Sequence, residues 1–245
     1  MVRKYVLKKI ADAAPRSPSG IDYQNELNKG QHQAVTAVEG PILVIAGAGT
    51  GKTRALVYRV AHLVDMGIDP RSILLLTFTR RAAEEMLRRA SLLIDNRCDK
   101  VAGGTFHSFA NSVLRQYGGK LDLSSAFTIM DRSDSQDMVQ HLRVEMGLNT
   151  KEKRFPRKQT VAEIYSMALN KEWTIPDLIE REYPHLNDSL EELLALYEHY
   201  VDYKKQRSLL DYDDLLIQLK ELLENHEEVR TRLSSRYRFI MVDEY

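Results

Sequence analysis

The sequence predicts an α/β fold: a parallel sheet flanked by helices and interrupted by an all-helical insertion. Three observations carry this. Short apolar runs alternate with helical periodicity over residues 28–110. Residues 111–235 carry helical patterns and no convincing strand. The buried-strand pattern then returns at FIMV, Phe239–Val242. The domain organisation that follows is a tail over 1–27, an α/β domain over 28–110 and 236–245, and a helical insertion subdomain over 111–235.

Each element has its own signal. Pro15, Pro18, Gly20 and neighbouring serines make residues 1–27 read as a flexible linker. ILVIA, Ile42–Ala46, is short, apolar and partly β-branched, the pattern of a buried strand. After a Gly-rich turn, Ala55, Leu56, Val60, Leu63 and Val64 recur at helical spacing, and Gly67 and Pro70 stop that helix. ILLLTF, Ile73–Phe78, is a second buried strand. Ala83, Met86, Leu87, Ala90 and Ile94 mark the next helix, and a short strand near Val101 leads into GGTFHS. Strand–helix–strand order implies parallel strands with right-handed crossovers. In the insertion, helices are expected over Asp134–Met146, Val161–Leu169, Leu190–Lys205 and Leu215–Leu223, the last capped by Asp211 with Asp214 in its first turn. Tyr197, Tyr200 and Tyr203 stripe one helix and are expected in helix packing. Trp173 is expected as an anchor within the insertion. KEKRFPRK, Lys151–Lys158, reads as a solvated charge run.

Composition narrows the function. The 245 residues are 43% hydrophobic, enough to bury a substantial core. Lys plus Arg and Asp plus Glu number 35 each, which excludes binding of nucleic acid through bulk positive charge. The balance is uneven along the chain. Residues 177–245 hold 17 acidic residues against nine Lys and Arg, so a polyanion is expected to meet the more basic front. The single cysteine, Cys98, cannot form an internal disulfide; it reads as an inert thiol in a reducing, cytoplasmic setting. No apolar run approaches the ~18–20 residues that span a bilayer, and no membrane partner is expected.

The strongest chemical signal is AGAGTGKT: Ala46, Gly47, Ala48, Gly49, Thr50, Gly51, Lys52 and Thr53. It follows an expected strand and opens an expected helix, the context of a phosphate-binding loop. Glycines let successive backbone N–H groups turn inward on phosphate oxygens, and the helix N-terminus adds partial positive charge. Lys52 can reach the β- and γ-phosphates of ATP, and the Thr53 hydroxyl can ligate Mg²⁺. Ala46 stands where such loops begin with glycine, which is tolerable if it needs no positive φ. Asp243 and Glu244, directly off FIMV, form the natural second half. Asp243 can hold Mg²⁺, and Glu244 can orient or deprotonate the attacking water. Because the chain stops there, it is expected to be a fragment of a longer protein.

These motifs, with LNKGQ (Leu27–Gln31), LTFTRRAAEEM (Leu76–Met86), GTFHS (Gly104–Ser108) and VDEY (Val242–Tyr245), occur in one order. In that order they resemble the N-terminal part of UvrD/Rep-type superfamily 1 DNA helicases, over Leu27 to Tyr245. The resemblance implies a P-loop NTPase core that binds ATP and Mg²⁺ and moves 3′ to 5′ on single-stranded DNA without sequence preference. It implies that Gln31 reads the adenine edge and that Arg54 lies near the nucleotide. It implies catalytic roles for Lys52 and Glu244. It makes Phe78, Thr79, Arg80, Thr105, Phe106 and His107 face DNA; Arg80 departs from the asparagine common there. Aromatic stacking suits a motor, because every base has a π-face. A second motor domain, carrying an arginine finger, would be missing from this chain, so the chain alone is expected to be nearly inactive. A P-loop phosphotransferase and a nucleotide-binding module without turnover stand as alternatives.

Overall fold

The computed structural model describes residues 19–148 and 155–244. The chain opens with α1 (Tyr23–Glu26), α2 (Lys29–Thr36) and α3 (Lys52–Asp65). It continues through β1 (Ile73–Thr77), α4 (Arg80–Leu93), β2 (Ala102–Thr105) and α5 (Phe106–Tyr117). Then come β3 (Thr128–Ile129), α6 (Arg132–Glu145), α7 (Lys158–Lys171), α8 (Ile175–Glu182) and α9 (Leu190–Gln206). It closes with β4 (Leu209–Leu210), α10 (Tyr212–Asn225), α11 (Glu227–Arg236) and β5 (Phe239–Val242). Two compact units emerge: residues 1–106 with 232–245, and residues 107–231. No helix among the described residues is long and apolar enough to cross a membrane.

The first unit is built on a parallel three-stranded sheet in the order β2-β1-β5. Leu74 pairs with Ala102 on one side and with Ile240 on the other. All five residues of β1 are buried, as a central parallel strand requires. Val57, Val60, Leu63 and Val64 of α3 and Met86 and Ala90 of α4 pack with Ile73, Leu75 and Met241 of the sheet. Each fully buried aliphatic side chain of this kind stabilises the fold by about 1.5–3 kcal/mol. The approach of α4 to β2 depends on Gly103: a Cβ there would lie 2.6 Å from Leu87 Cδ1.

Two expectations are corrected here. Ile42–Ala46 is not a buried strand. These residues lie in no strand, and Leu43 and Ile45 are 72% and 89% exposed. The composition suits a strand, but a strand also needs a ladder partner. Among the described residues no strand lies beside the outer edge of β5 or along 42–46. The second correction concerns residues 19–27, which were read as tail. Asp65 accepts hydrogen bonds from the Ser19 N–H and hydroxyl, both at 2.9 Å. Tyr23 and Leu27 are buried with Val35, Ala55 and Tyr58. Tyr23 stands edge-on to His62, with ring centroids 5.0 Å apart. The turn-rich composition was real, but apolar anchors inside it find a groove. Residues 1–18 lie outside the described part.

The second unit is helical, with its core among α6, α7, α8 and α9. Helix starts follow local chemistry: Asp131 with Asp134, and Asp211 with Asp214, each form a reciprocal capping box. Tyr197 and Tyr200 pack on Tyr165, and Trp173 lies against Lys171 and Arg181. One expectation fails: the unit does contain strand. β3 and β4 form a two-residue parallel pair, Thr128 with Leu209 and Ile129 with Leu210, just before the caps Asp131 and Asp211. Runs this short carry no periodicity to read. Of the charge run, residues 151–154 lie outside the described part; Phe155 packs under the Arg143 guanidinium, 5.3 Å from the ring centroid.

Candidate nucleotide site and nucleic-acid interface

The loop from Ala46 to Thr53 leads into α3, whose N-cap is Gly51. Gly49 and Gly51 have φ of +77° and +87°, where L-residues are strained. Ala46 is absent from the positive-φ residues, so its departure from glycine costs the loop nothing in backbone strain. The Thr50 hydroxyl donates to Gly47 O at 2.7 Å, and Lys52 Nζ donates to Ala46 O at 2.9 Å and Gly47 O at 3.0 Å. A flexible ammonium held by two exposed carbonyls can exchange them for phosphate oxygens at little cost. Thr53 is the second residue of α3, half-exposed beside Lys52.

Gln31 is tied to this loop. Its Oε1 accepts from the Asn28 N–H at 3.2 Å within the α2 capping box, and its Nε2 donates to Thr50 O at 3.1 Å. A Cβ on Gly51 would come within 2.6 Å of Gln31 Nε2, so only glycine allows this approach. Arg54 turns away from the loop. Its guanidinium donates to Glu26 O at 2.9 Å and to the Tyr58 hydroxyl at 3.3 Å, clasping α1 to α3.

Asp243 follows β5, and its N–H donates to Leu76 O at 2.9 Å, extending the ladder by one residue. It is 8% exposed. Burial and then the Glu244 charge push its carboxyl above the usual range, while Lys52 pulls it back. Glu244 is exposed, with φ of +59°. Among the described residues no group of three or more His, Cys, Asp or Glu could hold a metal. That donor set does not suit a cage built of protein ligands alone. It fits Mg²⁺, which keeps waters and binds through one or two protein oxygens plus phosphates.

The strand tips form a second feature. Thr77 of β1 pairs with Thr105 of β2, so the residues that follow, Phe78 and Phe106, leave neighbouring strands at the same level. Phe78 is 77% exposed and Phe106 38%. Thr79 caps α4, its hydroxyl accepting from the Ala82 N–H at 3.1 Å. Arg80 and Arg81 begin that helix, whose first turn carries no acid. Cations are disfavoured at a helix N-terminus, so an anion there would relieve them. In the second unit, His107 stands edge-on to Tyr212, with ring centroids 5.6 Å apart. Tyr212, the first residue of α10, is absent from the sequence-based candidates, which take only Asp211 and Asp214 there, as helix caps. The available signal was an aromatic ring between acids in the first turn of a helix, a position poorly suited to burial. It is 49% exposed.

The family model of the UvrD/REP helicase N-terminal domain matches residues 27–245. The chain is 34% identical over 226 residues to the ATP-dependent DNA helicase PcrA of Leuconostoc citreum, covering 90% of this chain and 29% of that protein. It is 31% identical over 222 residues to PcrA of Staphylococcus aureus strain Mu50, covering 90% and 30%. It is 33% identical over 221 residues to PcrA of Staphylococcus epidermidis strain ATCC 35984, covering 89% and 29%. The chain thus spans under a third of the length of these curated relatives. With the loop and the strand-tip carboxylate in one unit and the family model matching residues 27–245, the chain belongs to the UvrD/REP helicase N-terminal domain family.

Proposed function

We propose that this chain is the ATP-binding, single-stranded-DNA-contacting motor portion of an ATP-dependent 3′–5′ DNA helicase or translocase. The observation that carries the reading is the geometry of the phosphate loop: Gly49 and Gly51 at positive φ just before α3, with Lys52 Nζ held on the Ala46 and Gly47 carbonyls. Lys52 binds the β- and γ-phosphates, Thr53 and Asp243 would hold Mg²⁺, and Glu244 orients the attacking water. Bound Mg²⁺ supplies charge neutralisation on the transferring phosphoryl group. The backbone N–H groups of Gly47 to Lys52 line the phosphates, and the Gln31 amide, held beside Thr50, meets the adenine edge. Arg54 acts near the nucleotide by securing α1 against α3.

Phe78 and Phe106 supply the stacking surface for bases, worth about 1–3 kcal/mol per base and indifferent to base identity. Thr79, Arg80, Thr105 and His107 contact the backbone, with Arg80 at a helix start that favours an anion. A second motor domain in the longer protein completes the nucleotide site with an arginine finger, an element worth about 10³–10⁵ in rate. The chain alone therefore hydrolyses ATP poorly.

The test has two parts. Lys52→Ala in the 245-residue chain should abolish binding of a fluorescent ATP analogue while leaving the circular dichroism spectrum unchanged. ATP hydrolysis by the longer protein should rise on adding single-stranded DNA. Hydrolysis indifferent to DNA would favour a phosphotransferase, and absent hydrolysis a binding module.

A further inference from the structure

One buried charge cluster in the helical unit has no part in the proposed function. Lys204, in the last turn of α9, is buried, yet it carries a charge. Its Nζ lies 2.7 Å from Asp211 Oδ2 and 2.6 Å from Asp214 Oδ2. The Tyr200 hydroxyl donates to the same Asp211 oxygen at 3.0 Å. These two carboxylates are the capping box of α10. Asp211 N–H donates to Asp214 Oδ2 at 2.8 Å, and Asp214 N–H donates to Asp211 Oδ1 at 2.9 Å.

A capping box satisfies a helix start without any cation. Burying a lysine with two carboxylates costs several kcal/mol per ion in desolvation, and attraction returns that only with good geometry. Such a cluster is a poor way to add stability and a good way to fix one arrangement. What it fixes is Tyr212, the residue between the capping aspartate and the rest of the first turn. Asp211, on one side, is gripped by Lys204 and Tyr200. Asp213, on the other, accepts from Asn170 Nδ2 of α7 at 3.0 Å. β4 holds the approach to this point through the Met130 N–H to Leu210 O bond at 2.8 Å. The ring of Tyr212 is thereby pinned by its backbone while remaining 49% exposed, with His107 edge-on against it.

We propose that Lys204 is a positioning residue for the nucleic-acid face: by gripping both carboxylates of the α10 capping box it fixes where α10 begins, and so sets the Tyr212 ring against His107. The inference rests on the DNA-facing role proposed for His107. The ligand is a single-stranded nucleic acid, and Lys204 acts on it only through Tyr212 and His107.

The experiment uses the full 245-residue chain. Lys204→Met combined with Asp214→Asn removes one charge of each sign, so that no ammonium and only the cap carboxylate remain. Lys204→Gln is the second variant. Two quantities are read: the imidazole proton resonances of His107, which sense the Tyr212 ring current, and the affinity for a fluorescent oligothymidylate by anisotropy at low salt. Tyr212→Leu defines the resonance position without the ring. In the folded Lys204 variants the His107 resonances should move toward the Tyr212→Leu position, and affinity should fall about three- to tenfold, part of one stacked base. Unmoved resonances in a folded variant would overturn the positioning role, whatever DNA does. Moved resonances with unchanged affinity would overturn its link to nucleic acid. No measurable binding by the unsubstituted chain would overturn the DNA reading itself and this inference with it. Unfolding of both Lys204 variants would make Lys204 a stability residue and overturn the proposal.

Discussion

Gly51→Ala tests the nucleotide loop more sharply than loss of a charged group, because its cost has two separable parts. Gly51 has φ of +87°, and an L-residue in the left-handed region costs about 1–2 kcal/mol. The new Cβ would also lie 2.6 Å from Gln31 Nε2. Gln31 must then swing away and give up its 3.1 Å bond to Thr50 O, worth about 0.5–1.5 kcal/mol. The sum is about 1.5–3.5 kcal/mol, or about 10- to 300-fold in affinity at 1.4 kcal/mol per decade. The loop is exposed, so the unliganded chain can relax and most of the cost appears on binding. Gly49→Ala is the control. Its φ is +77°, but a Cβ there meets nothing within 4 Å, so only the backbone part applies, about five- to thirtyfold. The assay is titration of each variant with a fluorescent ATP analogue and Mg²⁺, with Gln31→Ala completing a cycle. The cost of Gly51→Ala should fall to that of Gly49→Ala once Gln31 is alanine. Equal losses for Gly49→Ala and Gly51→Ala with Gln31 present would refute the claim that loop and glutamine share one space.

Two further outcomes are expected. Tyr23→Ala should destabilise the chain by about 2–4 kcal/mol in urea unfolding, since a buried ring is lost beside His62 and Tyr58; an unchanged midpoint would return residues 19–27 to the status of a tail. Cys98 is buried, and burial pushes its thiol from 9.0 to about 11. Between those values the unfolded chain releases the proton first, so stability is fully present below about pH 9 and falls as pH rises toward 11. Rapid reaction of native Cys98 with a thiol reagent at pH 8 would contradict that environment.

The elements most legible in the sequence are those whose causes are local. Ala83, Met86 and Ala90 recur at helical spacing and all lie on the buried side of α4. Asp211 and Asp214 announce the start of α10, and the observed capping box contains both. The phosphate loop is legible for the same reason: its glycines, lysine and threonine are contiguous, and two glycines adopt the left-handed φ that only their type takes easily. Arg54 is harder to place: Tyr58 lies one turn on in the same helix, but nothing in the sequence shows that the distant Glu26 carbonyl will hold its guanidinium.

What the amino-acid sequence determined alone is which segments are apolar, which are helical, where helices begin, and which residues have the chemistry to hold phosphate. What only the tertiary structure decided is pairing. Ile42–Ala46 has the side chains of a buried strand and no strand, because ladder bonds come from another part of the chain. Tyr23 and Leu27 are buried because a groove formed by Val35, Ala55 and Tyr58 receives them, not because of their linker-like neighbours. Asp243 stands at the tip of the sheet because β5 pairs with β1, Leu76 facing Val242 and accepting from the Asp243 N–H. Local propensity acts over a few residues, whereas burial, ladder formation and the meeting of charges are settled only when distant segments occupy the same space.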